Sequence, residues 1–434
     1  ISAAGAEGGG VVLVGGDWQG GQVPSLRLSE TEMRQAETVT MQAGASIDAS
    51  ATRSGGGGSV VLWSDVGSPS SLTVAQGRIT ATGGSAGGDG GQIETSGHHL
   101  EIAGAQVRAG AANGKGGQWL LDPVGDTVID NSGASTISGT LNGGTDVTYE
   151  VTGGNLTVSA AGANSIKKAT GTATRTLTLR SEQDIQFSNG ADITATSGKL
   201  NVVLWADTNG TVEAGGAGGG GGGIKFVQNN EFHTNGGHIW VGGGSTAGTA
   251  WNGLTVGDDF AHGLTFTGGV DAGIGTYFDT RVALAGVGIG DISISGKDIR
   301  QSDTAQNYGF STGGSSFIWG DDIALNGTSA VNVISNRGIS LDNTQINVAG
   351  DLVMAGVAGW AAGGTARSDA GIYLDQSSVI AGTTAAATVT IAGTNLNGSG
   401  KQHSGVVAEA GTSITTLGGA ITISGTAGGG HSAN

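Results

Sequence analysis

Acidic residues stand in adjacent pairs at two places, Asp258/Asp259 in "VGDDFAHG" and Asp321/Asp322 in "WGDDIALNG". Paired carboxylates suit glycoside cleavage, where one protonates the leaving oxygen and the other attacks or activates water; related enzymes add calcium. Residues 258 and 321 are 63 apart, close to three turns of the repeat derived below, so the pairs would share a face without touching. "GD" also recurs at 290–291 and 350–351, which favours a plainer role as a turn ahead of a strand. His262 follows Asp259 by three residues, and the expectation is a solvent-facing loop histidine. His98 and His99 are adjacent, so on a strand they face opposite sides and cannot both ligate one ion. His233 and His238 flank "TNGG" and are spaced to meet across a turn, but no His/Cys cluster has zinc spacing. The run "GGAGGGGGGI" at 215–224 lacks the Gly-Lys-Ser/Thr ending of a phosphate loop and reads as a projecting loop. We therefore expect no enzyme: no catalytic residue, no cofactor and no metal site.

Of the 8 tryptophans, Trp18, Trp63, Trp205, Trp240 and Trp319 sit in or beside strand-like sequence. Exposed, they would be stacking platforms for sugars; packing at core or corner is the expected role. Asn155, Asn209, Asn326 and Asn397 begin Asn-x-Ser/Thr sequons.

The elements that must position these residues are short. Apolar pairs at i and i+2 recur at Leu177/Leu179, Ile185/Phe187, Ile193/Ala195 and Leu200/Val202, and again at Val331/Val333, Ile339/Leu341, Ile346/Val348 and Leu352/Met354. Val147, Tyr149 and Val151, then Leu156, Val158 and Ala160, repeat the pattern more weakly. Each pair turns two side chains to one face of a strand, and turn residues such as "NGAD" at 189–192 fill the gaps. Three such strands per turn of roughly 21–24 residues is the arithmetic of a parallel β-helix, an all-β solenoid of about 20 coils here. A sandwich or barrel wants longer strands. No helix is expected. The best candidate, "LSETEMRQAETVTMQAG" at 28–44, reads as an excursion from a coil.

Composition agrees. Glycine supplies 88 of 434 residues, but 3 prolines exclude collagen and 37% hydrophobic content excludes a disordered linker. A net charge of -17 disfavours nucleic acid and anionic membrane as partners. No apolar run reaches the roughly 18 residues of a membrane helix. Cysteine is absent, which suits a large chain kept unfolded until export.

Residues 9–123 resemble a segment of filamentous-haemagglutinin-like exoproteins of bacterial two-partner secretion. The matching pieces are "GGVVLVGGDWQG" at 9–20, "GASIDASATRSGGGGSVVLWSD" at 44–65, "GRITATGGSAGGDGGQIETSG" at 77–97 and "GAANGKGGQWLLDP" at 110–123. "VVLWAD" at 202–207 echoes "VVLWSD" at 60–65. The resemblance implies a right-handed parallel β-helix, exported through an outer-membrane pore partner of a Gram-negative bacterium. It implies an extracellular or surface adhesin that meets glycans or proteins of host or neighbouring cells. The family's secretion domain carries an Asn-Pro-Asn-Gly type motif, and no Asn-Pro occurs here, so the expectation is the shaft downstream of it. Residues 1–123 would carry the family-like elements and 124–434 would continue the shaft with loop excursions. Alternating sequence runs to both ends without an amphipathic cap, which predicts a window of a longer rod or self-association into filaments. A carbohydrate-active β-helix enzyme and the stalk of a haemolysin or contact-dependent toxin are the competing readings.

Overall fold

The computed structural model describes residues 1–211, 221–245, 249–262, 264–266, 274–279, 289–298, 307–313, 315–329, 336–359, 369–376, 378–396 and 403–428. Two compact units emerge, one of Ile1–Arg180 with Thr194–Asn201, the other of Ser181–Ile193 with Val202–Asn434. The family-like elements fall in the first.

In the first unit, parallel neighbours run in the order Val11–Val14, Ser59–Trp63, Gln92–Gly97, Gln118–Pro123, Asp146–Val151, Arg175–Ser181. Val11 lies beside Ser59, Ser59 beside Gln92, Gln92 beside Gln118 and Gln118 beside Asp146. The coils therefore differ in length, the step out of Val11 being the longest of these and the step out of Gln92 the shortest. The second unit repeats the design. Ile239 lies beside Ile292, and Ile323, Leu352, Val389 and Ile421 follow in turn. In this unit a second sheet runs from Ile185–Phe187 to His403–Ala408 and a third from Glu231–His233 to Ser413–Thr415, all parallel. Strands that pair one coil apart on three faces make the fold an all-β parallel β-helix.

The expected inward pairs are inward. Leu177, Leu179, Ile185, Phe187, Ile193, Leu352 and Met354 are fully buried. Val331 and Val333 lie outside the described residues. In the second unit the core column is aromatic: Phe187 stacks on Phe226 at 5.2 Å between ring centroids, and Phe232 meets Phe278 at 4.9 Å.

Two expectations need correction. Among the described residues the main run of parallel neighbours has six strands in the first unit, and that of the second unit has seven, against the expected 20 or so coils. Each step along these runs that is described above is longer than the expected repeat. Pairing fixes where a strand lies but not how long the chain takes to reach it, and excursions lengthen many coils. The step from Ile239 to Ile292, for instance, carries an antiparallel hairpin, Thr249–Trp251 with Leu254–Val256. An α-helix also exists, Asn131–Asn142. Asp130 caps it by accepting from the Gly133 amide at 2.8 Å, and Ala134, Ile137 and Leu141 bury one face. Burial overrides the poor propensity of "NSGASTISGTLN". Residues 28–44 hold no α-helix; they form an irregular excursion that ends in the strand Thr38–Met41.

Candidate functional site

One member of the second acidic pair, Asp322, helps to hold the backbone. Asp322 Oδ1 accepts the Asp351 amide at 2.8 Å, and Asp291 Oδ1 accepts the Asp322 amide at 3.3 Å. The same bond recurs from Asp126 to Asn155 (3.0 Å), Asp146 to Thr176 (2.9 Å), Asp184 to Gly223 (2.8 Å) and Asp192 to Glu231 (2.9 Å). In each case a carboxylate at the start of one strand holds an amide at the start of the strand a coil later. The turn reading of "GD" is thereby given a mechanism. Burial, with Asp322 and Asp291 beside it, raises the Asp321 carboxyl. Asp258 and Asp259 are exposed ahead of Ala261–His262. Ala261 pairs with Gly296 and Gly296 with Gly327, so the two acidic pairs precede strands two steps apart, not three.

His262 is not a solvent-facing loop residue. It is buried, with Nδ1 3.5 Å from Asp207 Oδ2 of the "VVLWAD" element. Burial, reinforced by the Asp259 charge, pushes the Asp207 carboxyl up to about 6. Burial and Lys297 lower the His262 imidazole against the pull of Asp259. Both shifts favour the uncharged forms, so this is a weak ion pair in a dry place. His98 and His99 also depart from expectation. His98 stands at a corner rather than on a strand, and the two rings meet edge to face at 5.1 Å. Their nitrogens lie 3.2 Å from the Val66 carbonyl and 3.0 Å from that of Pro69. His233 and His238 engage different partners: Glu231 at 3.3 Å, and the Asp291 amide, which donates to His238 Nδ1 at 3.0 Å. Among the described residues no group of three or more His, Cys, Asp or Glu is arranged to hold a metal ion.

The most developed cluster in the first unit was invisible in the sequence. Trp63, Ser96 and Asp122 are neighbours on adjacent strands, as are Val61, Glu94 and Leu120. They share the sheet's outer face, which residues 15–37 cover. Gln35 Oε1 accepts from Trp63 Nε1 at 3.0 Å, and the turn at Gly20 (φ +70) lies so close that a Cβ there would stand 2.7 Å from the Trp63 ring. Beneath this cover Glu94 is fully buried; its oxygens accept the Gln19 amide at 2.9 Å and the Ser96 hydroxyl at 3.0 Å. Burial pushes the Glu94 carboxyl up to about 8 despite those two bonds, and Asp122 and Asp17 push the same way. Asp17 goes the other way. Burial works against its charge, but the Ser29 hydroxyl and the amides of Leu28, Ser29 and Trp18 hold its carboxyl below the usual range. A charged aspartate thus pins the cover while a protonated glutamate lies under it.

The second unit covers its own "VVLW" tryptophan. Trp205 and Trp240 meet edge to face at 6.3 Å under Leu254 and Val256 of the hairpin, and Trp205 Nε1 donates to the Gly244 carbonyl at 2.7 Å. Trp63, Trp205 and Trp240 are packing residues, as expected, whereas Trp18 and Trp319 are half-buried. Asn155 donates to Asp126 at 2.9 Å, Asn209 accepts the Thr211 amide at 2.9 Å, and Asn326 lies within a strand. Asn397 and most of the glycine run at 215–224 lie outside the described residues. No protein-family model matches the chain, and no curated protein matches it significantly.

Proposed function

We infer that this chain is the shaft of a secreted bacterial adhesin or matrix fibre of the filamentous-haemagglutinin type. It is exported through an outer-membrane pore, works at the surface of a Gram-negative cell, and presents its outer faces to glycans or proteins of other cells. The supporting observation is the layer around Trp63. The pieces that carry the resemblance, "GGDWQG", "VVLWSD", "QIETSG" and "WLLDP", are far apart in sequence yet meet there as cover, tryptophan, buried glutamate and flanking strand. Their order along the chain has a physical reason in this packing. Of the acidic residues that would serve an enzyme, Asp322 is engaged in holding one coil to the next.

The test is adhesion. Beads coated with the folded chain should bind cultured epithelial or bacterial cells, and beads coated with heat-unfolded chain should not. Depolymerisation of an acidic polysaccharide by the purified chain, abolished by Asp321→Asn with Asp322→Asn, would overturn the reading in favour of an enzyme.

A further inference from the structure

The helix Asn131–Asn142 stands where the run of coils would place a strand. The sheet Ser46–Asp48, Arg78–Thr80, Gln106–Arg108 stops at its third member, and the helix packs between that member and Ile166–Lys168. On the Ile166–Lys168 side its side chains replace strand pairing: Ser138 Oγ accepts the Lys167 amide at 2.8 Å, and Asn142 Nδ2 donates to the Lys167 carbonyl at 3.2 Å. The other side is different. The Gln106 amide donates to the Gly77 carbonyl at 3.0 Å and the Arg108 carbonyl accepts the Ala81 amide at 2.8 Å, both toward the preceding strand. Peptide groups alternate along a parallel strand, so the N–H and C=O of Val107 point to the helix edge. Among the described residues no side chain is hydrogen-bonded to them. The helix reaches this flank through Thr136, whose hydroxyl donates to the Ile102 carbonyl and accepts the Gly104 amide, each at 3.3 Å.

What remains between strand and helix is a groove of about 500 Å³, within the size range of small-molecule sites. Gln106, Arg108, Asn131, Ser132, Ser135 and Asn164 line it. Arg78 donates to Gln106 Oε1 at 3.2 Å, which leaves the Gln106 amide nitrogen as a donor. Arg108 is exposed and forms no ion pair among the described residues, in a chain with 35 acidic side chains. Hydroxyls, amides and one backbone donor–acceptor pair suit a polyhydroxylated ligand. The single charge lining the groove is a guanidinium, whose forked donors match a carboxylate. We propose that this groove binds a carboxylated saccharide, a uronic or sialic acid unit, with the carboxylate on Arg108 and ring hydroxyls on Gln106, Asn131 and the Val107 peptide. The biological sense of this site rests on the adhesin reading.

Titration calorimetry and saturation-transfer NMR of the whole chain would use trigalacturonate, sialyllactose, neutral maltotriose and an extended Val/Thr-rich peptide as probes. Both acidic saccharides should bind, and maltotriose at least about tenfold more weakly. Arg108→Ala should cost about tenfold or more, and Arg108→Lys should restore part of it. Gly139→Phe is the independent control. Gly139 lines the groove and a Cβ there meets nothing within 4 Å, so a side chain has room to start into the groove, and the helix loses a glycine. It should abolish binding with an unchanged circular dichroism spectrum. Acidic-saccharide binding untouched by both Arg108→Ala and Gly139→Phe, or a preference for the peptide, would overturn the proposal. So would a wild-type chain that binds no acidic saccharide at millimolar concentration. That last result would leave the adhesin reading standing, because bead adhesion is scored without reference to any one ligand.

Discussion

Replacing Glu94 by Gln should stabilise the first unit, by an amount that grows as pH rises above about 4.5. The Glu94 carboxyl is raised from 4.5 to about 8 by burial under residues 15–37. The folded state therefore holds a proton that the unfolded state has released. Below pH 4.5 both states are protonated and Glu94 costs nothing. As pH rises toward 8 the unfolded state gains an ionisation that the folded state resists, so stability falls across that window and levels off above it. A rise of that size corresponds to about 5 kcal/mol at most. Gln keeps the geometry: Oε1 still accepts the Gln19 amide, and the amide nitrogen can donate to Ser96 Oγ. Urea unfolding followed by tryptophan fluorescence should give matching midpoints for wild type and Glu94→Gln near pH 4.5. The variant should gain steadily to about 4–5 kcal/mol near pH 9. Hydrogen exchange at the Gln19 amide should quicken with pH in wild type more than in the variant. A difference that does not change with pH, or a wild type that gains relative to the variant on going alkaline, would refute the argument.

In the second unit, Ile185→Asp should cost about 3–5 kcal/mol, because Ile185 is fully buried beside the phenylalanine column; thermal melting reads this, and a tolerated change would count against the assigned register. Lys168→Met should cost about 3 kcal/mol in urea unfolding. The Lys168 ammonium is buried and donates to the carbonyls of Thr170 at 3.3 Å, Gly171 at 2.7 Å and Ser197, which methionine cannot serve. Asp322→Ala should cost about 1 kcal/mol through loss of the bond to the Asp351 amide, and Asp322→Asn much less. A chain with Asp258, Asp259, Asp321 and Asp322 all changed to Asn should adhere to cells as wild type does.

Inward pairs such as Leu177/Leu179 were legible because alternation is a local property and the core reads it directly. Coil length was not, since nothing in a strand records how far the chain wandered to reach it. The helix was hidden by its glycines and hydroxyls, although Asp130 as cap and Ala134, Ile137 and Leu141 at helical spacing were present as a signal. His262 was misplaced and Glu94 passed unnoticed for one shared reason. Their burial is imposed from a distance: Asp207 meets His262, and the cover over Glu94 comes from Gln19, 75 residues earlier. In "QIETSG" the glutamate occupies an outward position, and sequence alternation assigns such a position to water. The tryptophan of "VVLW" was the available clue, because a large outward indole asks for something to lie over it.

The hairpin at Trp251–Leu254 turns on Asn252 (φ 49) and Gly253 (φ 75), the two left-handed central residues of a type I′ turn. Adjacent main-sheet strands keep register whether the path between them is as short as that from Gln92 to Gln118 or as long as that from Ile239 to Ile292. Sequence can thus be added at such a tip while the ladder beneath is left alone. Evolution can diversify what the protein displays without renegotiating how it folds. An engineer can use the same freedom to graft a foreign epitope between Asn252 and Gly253.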